Sequence, residues 1–241
     1  MGHGLSEGER ALVGDMGQLT DPVIQHCREK VDQYPGLPLF IIGHSLGGLI
    51  TLLASLSPQM PRLSGLYLTT LFLQQNHILT NSGMVLMGPL IKPDPETASP
   101  FQQFIARVTS QVLPRLEIGE SMFCLIDEVT SDEVQKFIHL DFIFYHNINL
   151  KVEREKLRRD QLRYHGGLKA LTGSTMLEGM NSLEQNYSDV TTPYLLILGS
   201  EDKLSYIDGS KVYFMSQSPN IFDDNIPFLS LSCVGVSRVV G

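Results

Sequence analysis

Only three cysteines, Cys27, Cys124 and Cys233, occur in the 241 residues. Their odd number and wide scatter argue against a disulfide framework and for a reducing compartment. Long hydrophobic runs are missing too. No uncharged apolar stretch reaches 18 residues, and Leu66 to Leu73 is too short to span a bilayer. The first residues do not form a secretory leader. Positive charge is in deficit: the formal net charge of −8 argues against nucleic-acid binding. The one basic stretch, Lys151 to Arg163, is interleaved with Glu153, Glu155 and Asp160 and reads as a solvated helix face. No repeat, low-complexity tract or metal-ligand cluster interrupts the pattern. A chain of this length that is 42% apolar is expected to form one α/β domain.

What is present is a run from Leu39 to Ile42, then Gly43-His44-Ser45-Leu46-Gly47, then a second apolar run with helical character. A strand, G-x-S-x-G and a helix make a nucleophile elbow, which exposes a serine hydroxyl above a sheet. Ser45 is the expected nucleophile. The Leu46 amide would point at a developing oxyanion. Gly43 and Gly47 are expected to remove Cβ atoms that would crowd the turn. The four residues 39 to 42 suit a parallel strand buried on both faces.

The surroundings fit an alternating α/β chain. Pro35-Gly36-Leu37-Pro38 punctuates the sequence before the strand. Upstream, Thr20-Asp21-Pro22 reads as a helix start. Val23, Ile24, Cys27, Val31 and Tyr34 follow at helical spacing. Residues 84 to 87 and 194 to 198 read as further parallel strands, with Phe228 to Val236 as a weaker one. The last clear strand runs into Ser200-Glu201-Asp202-Lys203. An acid just past a late strand is where a Ser-His-Asp hydrolase carries its third member, which orients the imidazole. Asp202 is the better choice and Glu201 the weaker.

Four stretches make the pattern specific: Gly2 to Arg10, Tyr34 to Gly48, Met84 to Leu90, and Val190 to Asp202. Gly166 to Ala170 adds to them. With them the chain resembles the monoacylglycerol lipases, in the serine aminopeptidase S33 or lysophospholipase-like branch of the α/β-hydrolases. The resemblance implies a mostly parallel sheet flanked by helices, with a helical cap inserted at about residues 92–185 between core segments 1–91 and 186–241. It implies hydrolysis of a monoglyceride, or of a related single-chain acyl ester, through an acyl-enzyme, with no cofactor or metal expected. The scattered cysteines are the ground for expecting a cytoplasmic location, with peripheral membrane contact through the cap. Within the enzyme class, a lysophospholipase or carboxylesterase shares the pattern.

The chain departs from that family in three ways. Its histidines are His3, His26, His44, His77, His139, His146 and His165, so none follows Asp202. The general base is absent from its expected place. His44 is part of the elbow, and its position points it away from the seryl hydroxyl. His165 would have to swing in from the cap. Loss of triad members removes on the order of 10⁴ to 10⁶ in rate. A hydrolase-like chain without turnover is therefore the alternative expectation.

The second departure is at the front. The family's His-Gly motif, which supplies another oxyanion amide, lies before the segment that Gly2-His3-Gly4 resembles. The sheet is expected to be incomplete at both ends, with an exposed apolar edge. Met1 to Ser6 also fits a myristoylation pattern, but Gly2 to Ser6 reads better as an internal family segment.

The third departure is extra sequence at residues 66–82, at about 137–149 and from about Asn220 to Gly241. Joining Gly65 to Met84 restores the family pattern. Retained intron sequence or misplaced exon edges account for all three stretches at once; insertion into tolerant loops is the other account. Within the cap region, Phe101, Phe104, Ile105, Val108, Val112 and Leu113 recur at helical spacing. Such a stripe suits an acyl tunnel, a transient contact with a membrane, or packing onto the core.

Overall fold

The computed structural model describes residues 2, 4–61, 83–93, 95, 98–118, 159–198, 206, 208–210 and 213. The extra stretches at 66–82, 137–149 and 220–241 lie outside them, as does the weaker strand at Phe228 to Val236. The chain divides into two compact units. One comprises Met1–Gln18 and Pro95–Glu178, the other Leu19–Asp94 and Gly179–Gly241.

The second unit holds the sheet. Strands β1 (Phe40–His44), β2 (Gly83–Met87) and β3 (Tyr194–Ile197) lie side by side in that order, all parallel. Their register aligns His44 with Met87 and Met87 with Ile197, so the three carboxyl ends are level. Parallel neighbours need crossovers that bring helices against the sheet. Helix α1 (Gly17–Gln33) precedes β1, and α2 (Leu46–Ser55) follows it.

Leu49, Leu52, Met84, Leu86 and Ile91 are buried to 1–2% exposure or less. They form the apolar centre that fastens α2 to the strands. Burying a side chain of this size contributes about 1.5–3 kcal/mol. Tyr187, Tyr194 and Tyr213 pack at its flank, with ring centroids 4.9 and 5.5 Å apart. Burial pushes the Tyr213 hydroxyl upward, and that of Tyr187 up to about 12.

Two expectations need correction. Residues 39 to 42 are not buried on both faces: Phe40 is 43% and Ile42 70% exposed. The exposed residues alternate, Phe40, Ile42 and His44 against the less exposed Ile41 and Gly43, so one face of β1 is covered and the other is open to water. Helix α1 also starts before Thr20. Asp15 accepts from the Gly17 N–H at 3.0 Å through its carboxylate and from the Gln18 N–H at 3.2 Å through its carbonyl. These bonds supply the first turn, and Pro22 then sits inside the helix. Of the apolar stripe, Ile24 and Cys27 are buried, whereas Val31 and Tyr34 are exposed. Burial raises the Cys27 thiol pKa.

The first unit is fastened by hydroxyls and charges. α4 (Ala170–Gln185) begins here. Thr172 of α4 accepts from the Val13 N–H at 3.0 Å and donates to the Ala11 carbonyl at 2.8 Å. Thr175 donates to the Val13 carbonyl at 3.0 Å. Residues 116–118 and 168–170 pair as a short antiparallel bridge. Lys169, only 7% exposed, bonds Glu9 at 2.9 Å and lies over the Tyr164 ring. Arg115 reaches the other Glu9 oxygen at 2.7 Å.

Helix α3 (Pro100–Val112) opens with a complete capping box. Ser99 accepts from the Gln102 N–H, and the Gln102 side chain accepts from the Ser99 N–H. It buries its small residues, Ala106 and Ser110. Phe101, Phe104, Ile105, Val108 and Val112 stay exposed. Their stripe is therefore not the packed face that a core helix would show.

Bonds from Lys169 and Arg115 hold the Glu9 carboxyl below its usual range, and a bond from Tyr164 does the same for Glu117. A depressed carboxylate contributes stability that is complete above its unfolded pKa and lost as pH falls through the folded value. The thermal midpoint should therefore drop below about pH 5. Glu9→Gln should lower the midpoint at pH 7 and flatten that drop, as measured by circular dichroism.

Candidate active site

The carboxyl end of β1 leads directly into α2, with Ser45 as the hinge between them. Its backbone lies at φ 52° and ψ −119°. Ala11 is the other non-glycine residue with positive φ among the described ones. An L-residue held there carries about 1–3 kcal/mol of strain. The sharp turn lifts the serine out of the sheet and starts the helix without an intervening loop.

Close approach explains the glycines. A Cβ on Gly43 would lie 2.5 Å from the Gly47 carbonyl oxygen and 2.7 Å from the Thr51 hydroxyl. The Thr51 hydroxyl itself donates to that carbonyl at 2.8 Å. Gly47 differs from expectation: a Cβ there would meet nothing within 4 Å. The second crowded glycine is Gly48, whose Cβ would fall 2.5 Å from the Cβ of Pro89. Gly48 and the Gly88-Pro89 pair were visible within the family-like stretches Tyr34 to Gly48 and Met84 to Leu90. Their mutual contact was not, because they lie on different elements.

Electrostatics favour an anion beside Ser45. Leu46 is the first residue of α2, and its N–H belongs to the helix end that has no intrahelical acceptor. The helix carries no acidic residue in its first turn, and the Ser45 side chain makes no capping bond. The hydroxyl is thus not consumed by the helix, and the partial positive charge of the helix end remains uncancelled. His44 is exposed at the end of β1. His165 is also exposed, with its Nε2 3.0 Å from the Asp160 carbonyl oxygen.

β3 supplies the remaining direction. It ends at Ile197, level with the elbow, and Leu198 beyond it is buried. Asp202 and Glu201 lie outside the described residues. Among the described residues, no cluster of histidine, cysteine, aspartate or glutamate could hold a metal ion.

Residues 1–221 match the family described as serine aminopeptidase, S33. The chain belongs to the serine aminopeptidase S33 family. Human monoglyceride lipase is 32% identical over 204 residues, which is 85% of this chain and 54% of that protein. The rat monoglyceride lipase is 30% identical over 218 residues, 90% of this chain and 58% of that one. The chain thus spans about half the length of these relatives. The monoacylglycerol lipase of Paleococcus ferrophilus superposes with a TM-score of 0.56 at 20% identity, covering 88% of this chain and 65% of that structure. A soluble variant of the Saccharomyces cerevisiae monoglyceride lipase, solved with a substrate analog, gives 0.54 at 20% identity, covering 88% and 61%. The fold of this S33 chain is that of an α/β-hydrolase.

The two elbow glycines should separate by stability. Gly43→Ala should cost about 1–3 kcal/mol, because its Cβ has no room. Gly47→Ala should add about 0.5–1 kcal/mol, because helical alanine replaces helical glycine in open space. Urea unfolding of the two variants measures both.

Proposed function

We infer that this chain carries the site of a serine hydrolase that cleaves the acyl ester of monoacylglycerols through an acyl-enzyme. The observation that carries this reading is Ser45, held at positive φ where a strand passes into a helix whose first amide lies beside it. Ser45 Oγ would attack the ester carbonyl carbon while its proton passes to a general base. The Leu46 amide and the α2 terminus would stabilise the oxyanion. Collapse of the tetrahedral centre breaks the ester bond, and the departing glycerol oxygen takes up the proton. Water then releases the fatty acid and restores the serine. Asp202 is assigned to orient the base.

The lipid character of the substrate is supported by the named relatives and by the exposed apolar face of α3. We assign residues from about 92 to 185 to the cap, and α3 within it to peripheral contact with a lipid surface. Among the described residues no helix is long and apolar enough to cross a membrane. Three scattered cysteines, with Cys27 buried and free, support a reducing, cytoplasmic location. A second reading is an acyl-binding chain without turnover. It is favoured by the order of the sequence, in which every histidine precedes Asp202.

A fluorophosphonate should label Ser45, and Ser45→Ala should abolish the labelling. Asp202→Ala should slow it, because the acid acts only through the base. Labelling that persists in Ser45→Ala refutes the assigned nucleophile. Release of fatty acid from a monoacylglycerol, lost in Ser45→Ala, selects the first reading over the second.

The α3 face has its own test. Co-sedimentation with neutral phospholipid vesicles should fall severalfold in Phe101→Ser/Val112→Ser, since each change removes exposed apolar area that would enter the interface.

A further inference from the structure

We propose that the turn leaving β2, Met87–Leu90 with Pro89 at its centre, positions the nucleophile; the proposal rests on the serine-hydrolase reading above. Both backbone polar groups of Ser45 are bonded to this turn. The Ser45 N–H donates to the Met87 carbonyl at 3.0 Å. The Ser45 carbonyl accepts from the Leu90 N–H at 3.0 Å, and from the Gly48 N–H at 2.9 Å. The turn is itself anchored. Gly88 adopts φ 47° and donates its N–H to the Ile197 carbonyl at 2.8 Å. Pro89 is fully buried against Gly48, where a Cβ would stand 2.5 Å from its Cβ and 2.9 Å from its Cα.

These contacts act on one torsion pair. A serine at φ 52° relaxes toward ordinary backbone unless its surroundings over-determine it. The ψ angle of Ser45 also sets where the Leu46 N–H points relative to Oγ. Loosening the turn would therefore move nucleophile and oxyanion donor apart together. A displacement of about 1 Å at such a site costs on the order of 10² in rate. Pro89 works through Ser45 and Gly48, so it is a positioning residue. The link from Gly88 to Ile197 also ties the elbow to β3, which precedes Asp202 in the sequence.

The test uses the full 241-residue chain. Pro89→Ala keeps the Cβ that rests on Gly48, whereas Pro89→Gly removes it. Three quantities are measured: the rate of fluorophosphonate labelling at Ser45, the thermal midpoint, and amide hydrogen exchange in peptides containing Ser45 and Leu90. Pro89→Ala should label within about threefold of the parent. Pro89→Gly should label about tenfold more slowly or worse at temperatures where the chain stays folded. Exchange at Ser45 and Leu90 should quicken in Pro89→Gly while the body of α2 keeps its protection. Gly48→Ala should also slow labelling, and Gly48→Ala/Pro89→Gly should recover part of the loss.

A merely structural role for Pro89 would lower the midpoint and leave labelling of the folded chain unchanged. Parental labelling by folded Pro89→Gly therefore overturns the proposal, as does unchanged exchange at Ser45. If the parent itself does not label, the serine-hydrolase reading fails, and the exchange comparison still decides the turn. If Gly48→Ala does not fold, the two Pro89 variants decide alone.

Discussion

A serine at φ 52° has no conformational reason to stay there. What keeps Ser45 in place is a set of backbone hydrogen bonds to the end of the neighbouring strand, reinforced by contact between Gly48 and Pro89. The rest of the second unit can be understood from that constraint. β2 must lie beside β1 in register, so that Met87 and Leu90 reach Ser45. α2 begins without a side-chain cap, so the Ser45 hydroxyl is not engaged by the helix it starts. Gly43 must lack a side chain, because the first turn of α2 folds back over it.

Apolar burial supplies the free energy that sustains this strain. Leu49, Leu52, Met84 and Leu86 are almost completely removed from water. Together they outweigh one strained residue several times over. The site can therefore be rigid without a disulfide. The strain of the elbow is concentrated at a single residue, the half-buried Ser45.

The first unit follows a different logic. It is held by threonine hydroxyls on backbone groups, and by a buried lysine that meets a carboxylate and an aromatic face. A buried cation is tolerated only when its donors are satisfied. Lys169 gives one donor to the Glu9 carboxylate, which Arg115 also engages, and rests its charge over the Tyr164 ring. In α3 the small residues face inward and the large apolar ones face water. That inversion is the opposite of what core packing favours, and it leaves the helix suited to an apolar ligand or surface.

The local order of strand, elbow and helix was legible in residues 39 to 50, since glycine spacing and apolar runs are short-range signals. So were the strands at 84 to 87 and 194 to 198, whose observed limits differ by a residue or so. Helix α1 was found but misplaced at its start, because Asp15 supplied a first turn that Pro22 had seemed to define. Asp202 was inferred from its place after β3 and lies outside the described residues. The chain by itself determined which serine stands at the turn between strand and helix, because G-x-S-x-G after an apolar strand leaves one serine there. Only tertiary structure decided which glycine is crowded, which apolar face is left in water, and what holds Ser45 at positive φ. Those properties depend on atoms from separate elements meeting in space, and no spacing along one segment encodes the meeting.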